Sequence, residues 1–175
     1  RRRTIAVPEI TPHPTAREPV SALRLITLAM SVRIDAHRER VWRALTVPSE
    51  LVSWNEQLLS AIDKPDAYPS VGHALRWSYL LGSVQVVMHE RPIEIVPPER
   101  LCTRLRVGSL RFEQTFTLRC EASELPRTRL GMKLVTPNSV PVVDDVLDRF
   151  DVRKLAADSI DRSLRSVQHW CHEHP

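Results

Sequence analysis

Glycine is scarce: only Gly72, Gly82, Gly108 and Gly131 occur in 175 residues. No two stand close enough to make GxGxxG or GxxxxGK[ST], the clusters whose bare N–H groups reach phosphate. A Rossmann or P-loop nucleotide enzyme is thereby excluded. Cysteine is equally sparse. Cys102, Cys120 and Cys171 are odd in number and widely spaced. Without a CxxC pair, neither a zinc ribbon nor a thioredoxin motif is available. Reduced thiols in the cytoplasm are the default for such a chain. No apolar run approaches the roughly 18 residues of a membrane span. The Arg1-Arg2-Arg3 opening precedes an apolar stretch, Leu23–Met30, in the manner of a twin-arginine signal. Pro8, Glu9, Pro12, Pro14, Glu18 and Pro19 intervene and break the continuous apolar region such a signal needs. The chain does not open on Met, so a truncated or processed start stays open.

Charge of one sign is also in short supply. The net charge is +4, and three of the arginines stand at the very start. A basic stripe interleaved with exposed aromatics, the mark of a nucleic-acid binder, is missing. Apolar residues make up 42% of the chain, too many for a disordered polymer and enough for one domain with a real core.

Residues 1–21 read as an extended arm, because four prolines and few large apolar groups support neither helix nor packed strand. One domain then covers 22–175. Leu28, Met30, Val32 and Ile34 alternate with Ala29, Ser31 and Arg33, which predicts a strand with one buried face. Val41, Trp42 and Leu45 then fall at helical spacing, and Pro48 opens a second short helix with Leu51, Val52 and Trp54 inward. Period-two stretches follow at 73–79, 84–90, 101–107, 110–119 and 129–134. Each has an apolar and a polar face, as in an antiparallel meander. Pro97-Pro98 and Pro126 break the chain between them. Beyond Pro141 a helix is predicted over roughly 142–172, with 146, 150, 157, 160, 164, 167 and 171 inward and Arg153 interrupting that face. About 30 residues of helix span about 45 Å and need a broad sheet to lie on.

The run Val32-Arg33-Ile34-Asp35-Ala36-His37-Arg38-Glu39-Arg40-Val41-Trp42-Arg43-Ala44-Leu45-Thr46-Val47-Pro48-Ser49-Glu50-Leu51-Val52-Ser53-Trp54 resembles the opening I-x-A-P-x-E-x-V-W-x-x-L-x-x-P-x-x-L-x-x-W of the START/Bet v 1-like superfamily, also called SRPBCC or polyketide cyclase/dehydrase. Ser70-Val71-Gly72 and Val96-Pro97-Pro98-Glu99-Arg100-Leu101 match further on, and the resemblance spans roughly 22–172. His37 departs from it, standing where the family usually has Pro. The resemblance implies an α+β helix-grip fold. A curved antiparallel sheet of about six or seven strands would grip the long C-terminal helix, with two short helices after the first strand. It also implies a deep, mostly apolar cavity between sheet and helix. It does not name a chemistry, since the superfamily spans lipid carriers, receptors, polyketide cyclases and chaperone activators.

Polar groups on inward faces are the candidates for function. Gln114 stands in mid-strand between Phe112 and Phe116, where it binds a ligand or satisfies another buried group. Glu90, just before Arg91-Pro92 at an expected strand end, serves as a general base in a cavity or as a rim ion-pair partner of Arg91 or Arg104. Tyr79 donates to a ligand oxygen or to water. Glu90 and Tyr79 are thus the candidate catalytic pair. Arg153 faces an acidic ligand or snorkels outward. The expected ligand-binding wall comprises Trp54, Trp77, Tyr79, Met88, Thr103 and Phe112. Gln114, Phe116, Met132, Phe150 and Arg153 complete it. His73 and His89 read as surface residues, and the tail His169-Trp170-Cys171-His172-Glu173-His174 lacks a second ligand cluster, so neither metal nor cofactor is expected. No GxSxG elbow supports nucleophilic catalysis.

The leading expectation is a cytoplasmic carrier or sensor of a small hydrophobic or aromatic molecule. It has no nucleic-acid partner and no membrane span, and a homodimer stays open. A cyclase/aromatase-like lyase working by acid–base chemistry is the alternative, and a chaperone-activator-like interaction module the second alternative.

Overall fold

The alternating stretches pair with their sequence neighbours. The computed structural model describes residues 25–122, 124–137 and 152–175. The arm expected over 1–21, the first part of the long helix and Phe150 lie outside these residues.

The element order is β1 (Leu25–Ile34), α1 (Arg38–Thr46), α2 (Pro48–Trp54), β2 (Leu58–Ala61), β3 (Leu75–Leu81), β4 (Val84–Val96), β5 (Arg100–Val107), β6 (Leu110–Cys120), β7 (Thr128–Pro137) and α3 (Val152–Glu173). The strands form one 7-stranded sheet in the order β1-β7-β6-β5-β4-β3-β2, antiparallel throughout. Among the described residues, only the β1–β7 pairing joins strands distant in sequence. Two hairpins are closed by Gly-Ser turns. Leu81 pairs with Val84 around Gly82 (φ 64°), and Val107 with Leu110 around Gly108 (φ 56°). Both turns need the left-handed backbone that glycine adopts without steric cost.

Three differences from the expected pattern have physical causes. β4 continues past Glu90 through Pro92 to Val96, because the ladder shifts register between Pro92 and Glu94. A bulge tolerates a residue with no N–H to donate. Glu90 therefore sits in mid-strand, not at a strand end. β2 escapes the sequence pattern because four residues are too few to show alternation. On β1, Leu28 and Val32 are only partly buried and Met30 is 41% exposed. Among the described residues β1 is an edge strand with β7 as its one sheet neighbour, so its inward face is less covered than expected.

α1 and α2 close one end of the sheet. Val41, Ala44 and Leu45 of α1 and Leu51 and Trp54 of α2 are buried. Trp54 Nε1 donates to the Ala44 carbonyl at 2.7 Å and joins the two helices. Pro48 occupies the start of α2, where a missing N–H costs nothing. On α3 the buried stripe is Ala156, Ile160, Leu164, Val167 and Cys171. Ala156 takes the place expected for Ala157, which is half-buried. Glu50 ties the three helices together. It pairs with Arg40 Nη1 at 2.6 Å and accepts from Trp170 Nε1 at 3.0 Å.

Candidate functional site: a polar line in an apolar cavity

The inward faces of β4, β5 and β6 carry one polar residue each. Glu90 on β4 pairs with Leu105, while two positions along β5 Thr103 stands opposite Gln114 of β6. Directly opposed Cβ atoms in a sheet lie about 4.5–5.5 Å apart and diagonal ones about 7–8 Å. Glu90, Thr103 and Gln114 therefore form one diagonal line across three strands.

Glu90 is 7% exposed and held from two sides. The Tyr68 hydroxyl donates to Oε1 at 3.1 Å, and Trp77 Nε1 donates to Oε2 at 2.8 Å. The two rings meet edge to face at 5.9 Å. Burial pushes the Glu90 carboxyl above its ordinary value, and Tyr68, Trp77 and Thr103 pull it partway back. The Thr103 hydroxyl is wholly buried and faces this carboxylate, but without the distance and angle of a full hydrogen bond. Burial, followed by the charge and hydrogen bond of Glu90, drives the Tyr68 hydroxyl well above its ordinary value, so Tyr68 stays a donor. Tyr79 is raised as well, by burial, against a hydrogen bond with Ser159 of α3 and the charge of Arg162.

The cavity between sheet and α3 has two adjoining lobes. One of about 140 Å³ is walled by Leu81, Val107, Leu110, Phe112, Leu134 and Ala156, with exposed Gly82, Asp158 and Arg162 at its rim. The other, about 70 Å³, reaches Leu45, Trp54, Tyr68, Glu90, Leu101 and Phe116. Gln57, Tyr79, Met88, Leu105, Gln114 and Ser159 line both and mark the junction. The arrangement can hold an apolar body in the larger lobe and hydrogen-bond a polar edge at the junction. Glu90 can also exchange a proton with a group brought beside it, while Tyr68 keeps its own and donates a hydrogen bond.

Of the residues singled out from sequence, Trp54, Tyr79, Met88, Glu90, Phe112, Gln114 and Phe116 line the cavity. Trp77, Thr103 and Met132 are buried in its walls, at 0%, 0% and 2% exposure. Arg153 is exposed on α3. In the tail, His169 pairs with Glu173 at 3.2 Å and His174 stacks on Trp170. Among the described residues, no group of three His, Cys, Asp or Glu is placed to hold a metal ion.

Sequence reasoning missed Tyr68, Gln57, Ser159 and Ser163. Tyr68 comes from the segment between β2 and β3, where no periodicity points inward. Ser159 and Ser163 had a readable signal. With Ala156 they make a stripe of small residues at steps of three and four beside the apolar stripe of α3.

A seven-stranded antiparallel sheet, two short helices after its first strand and a C-terminal helix packed over a cavity define a helix-grip domain of the START/Bet v 1-like superfamily. Within it, the chain belongs to the family described as Activator of Hsp90 ATPase homolog 1-like protein, whose model matches residues 35–138. A START superfamily protein from Mycobacterium smegmatis is similar, with 16% identity and a TM-score of 0.66 over 85% of this chain and 99% of that one. A protein from Mesorhizobium loti is 20% identical, with a TM-score of 0.64 over 86% of this chain and 99% of that one. Ara h 8.0201 has the same fold at 8% identity, with a TM-score of 0.59 over 86% of this chain and all (100%) of that one. No curated protein matches the chain. Among the described residues no helix is long and apolar enough to cross a membrane.

Proposed function

We propose that the protein binds a small hydrophobic or aromatic molecule in the two-lobed cavity, as a carrier or sensor. The observation that carries this reading is the cavity itself: a mostly apolar lobe that meets, at Gln114, a smaller lobe reaching Glu90. Pockets of this kind, apolar with a few convergent polar groups, are the usual form of a ligand site. The reading places the protein in the cytoplasm, where its three free cysteines stay reduced, and leaves a homodimer open. Native mass spectrometry of protein purified from its own host tests it. A co-purifying small molecule is the expected result, and a clean apo mass counts against tight carriage.

A second reading, acid–base catalysis, is favoured by one observation. A buried, raised-pKa carboxyl and a tyrosine hydroxyl meet at 3.1 Å on the cavity wall. Such perturbed pairs are candidates for proton transfer. Lobes of about 140 and 70 Å³ suit a compact substrate better than a long poly-β-ketone. The family's description names an activator of the Hsp90 ATPase. That interaction-module reading needs no cavity, so the cavity supports ligand binding ahead of it.

A further inference from the structure

We propose that the occupant of this cavity is a compact, uncharged molecule about the size of one ring, bearing a carboxamide or lactam edge, and that carboxylates of equal size are turned away. The proposal rests on the ligand-binding reading above and adds the chemistry of the occupant.

Size comes first. The larger lobe is about 140 Å³. A dry cavity of roughly 150 Å³ lined by Leu, Ile and Phe takes up benzene. The lobe therefore suits a single ring, not a sterol or a fatty acyl chain.

Polarity comes next. Gln114 lines both lobes, and among the described residues no group hydrogen-bonds its side-chain amide. A half-buried amide in mid-sheet ordinarily has partners. Its carbonyl and NH₂ present an acceptor and donors side by side. The complementary surface is another amide edge, an N–H beside a C=O, which forms two parallel hydrogen bonds with it. Thr103, directly across the ladder, is wholly buried behind this surface with its hydroxyl toward Glu90, so the amide of Gln114 is the group that meets the occupant.

Charge sets the exclusion. Glu90 stands at the end of the same diagonal, and its oxygens already accept from Tyr68 and Trp77. Among the described residues no Lys or Arg pairs with it. An anionic ligand edge at Gln114 gives up its hydration and feels the charge of this buried carboxyl from two strands away, where the low dielectric screens repulsion poorly. Arg162 lines the larger lobe at its exposed rim and its charge reaches Tyr79 at the junction, but an exposed guanidinium is screened by water and offsets this repulsion only in part.

Benzamide, benzoate and toluene serve as matched probes, titrated at pH 7 into the full chain and followed by ligand-observed NMR. Benzamide should bind at least tenfold tighter than benzoate and several-fold tighter than toluene. Gln114→Leu should bring benzamide down to the level of toluene, and Glu90→Gln should narrow the gap between benzamide and benzoate. The ratios in the unaltered protein decide the matter even if a variant fails to fold. Benzoate binding as tightly as benzamide, or benzamide no tighter than toluene, overturns the proposal while leaving the cavity a ligand site. Failure of all three probes to bind overturns both.

Discussion

Two glutamates show how opposite surroundings give opposite pH dependence. Glu50 is partly buried, which raises its pKa, but the hydrogen bond from Trp170 and the hydrogen bond and charge of Arg40, with Arg43 further off, outweigh burial and hold it below the ordinary value. A depressed folded pKa contributes stability above the unfolded value near 4.5, lost as pH falls through the folded value. Glu50→Gln should therefore cost roughly 1.5–3 kcal/mol at pH 7, the range for hydrogen bonds to charged groups. The gap should narrow as pH falls below 4.5, as read by urea unfolding at pH 7 and in acid. Glu90 has the reverse sign. Its folded pKa is raised, so its contribution is complete below 4.5 and lost as pH rises through the folded value. Relative to the unaltered protein, Glu90→Gln should gain stability between pH 4 and pH 7. Parallel pH profiles for the two proteins would show that Glu90 is not desolvated in solution.

Along the strands, the same alternation that builds the core also builds an exposed arginine face. On that face Arg106 of β5 stands directly opposite Arg111 of β6, and His89 of β4 is the next residue in the row. Like charges opposed across a ladder destabilise it. Arg111→Glu should raise stability by roughly 0.2–1 kcal/mol, with the gain shrinking in high salt as screening sets in. Thermal melts at low and high ionic strength measure both effects. Alternation also explains what could be read from sequence. Phe112, Gln114 and Phe116 share a face two residues apart, so Gln114 was visible as an inward polar group before any coordinates. Glu90 was visible in the same way, although its place in mid-strand was hidden by Pro92, which a bulge absorbs. β2 was invisible because it is four residues long. Tyr68 was invisible because its tie to Glu90 crosses 22 residues of chain from an aperiodic segment, and no local pattern encodes such a meeting.

For the molecule as a whole, a ligand cavity and a well-packed core compete for the same space. Ala156 is 2% exposed on the inner stripe of α3 and forms part of the wall of the larger lobe. A longer side chain there projects into the lobe from the second turn of α3, inside the helix, where Leu is nearly as favourable as Ala. Filling a void recovers dispersion contacts that its lining lacks, and such substitutions commonly add roughly 0.5–2 kcal/mol. Ala156→Leu should therefore raise the melting temperature and abolish uptake of toluene or benzamide in the same protein. The two changes together separate the readings of the molecule. A ligand-binding protein holds the lobe open at a cost in stability, so filling it trades function for stability. An interaction module that works through the outer face of the sheet has no use for the lobe, and Ala156→Leu should leave its partner binding intact. If Ala156→Leu instead melts lower, the lobe is too well packed around Phe112 and Leu134 to admit a side chain, and a ring-sized ligand would meet the same obstruction.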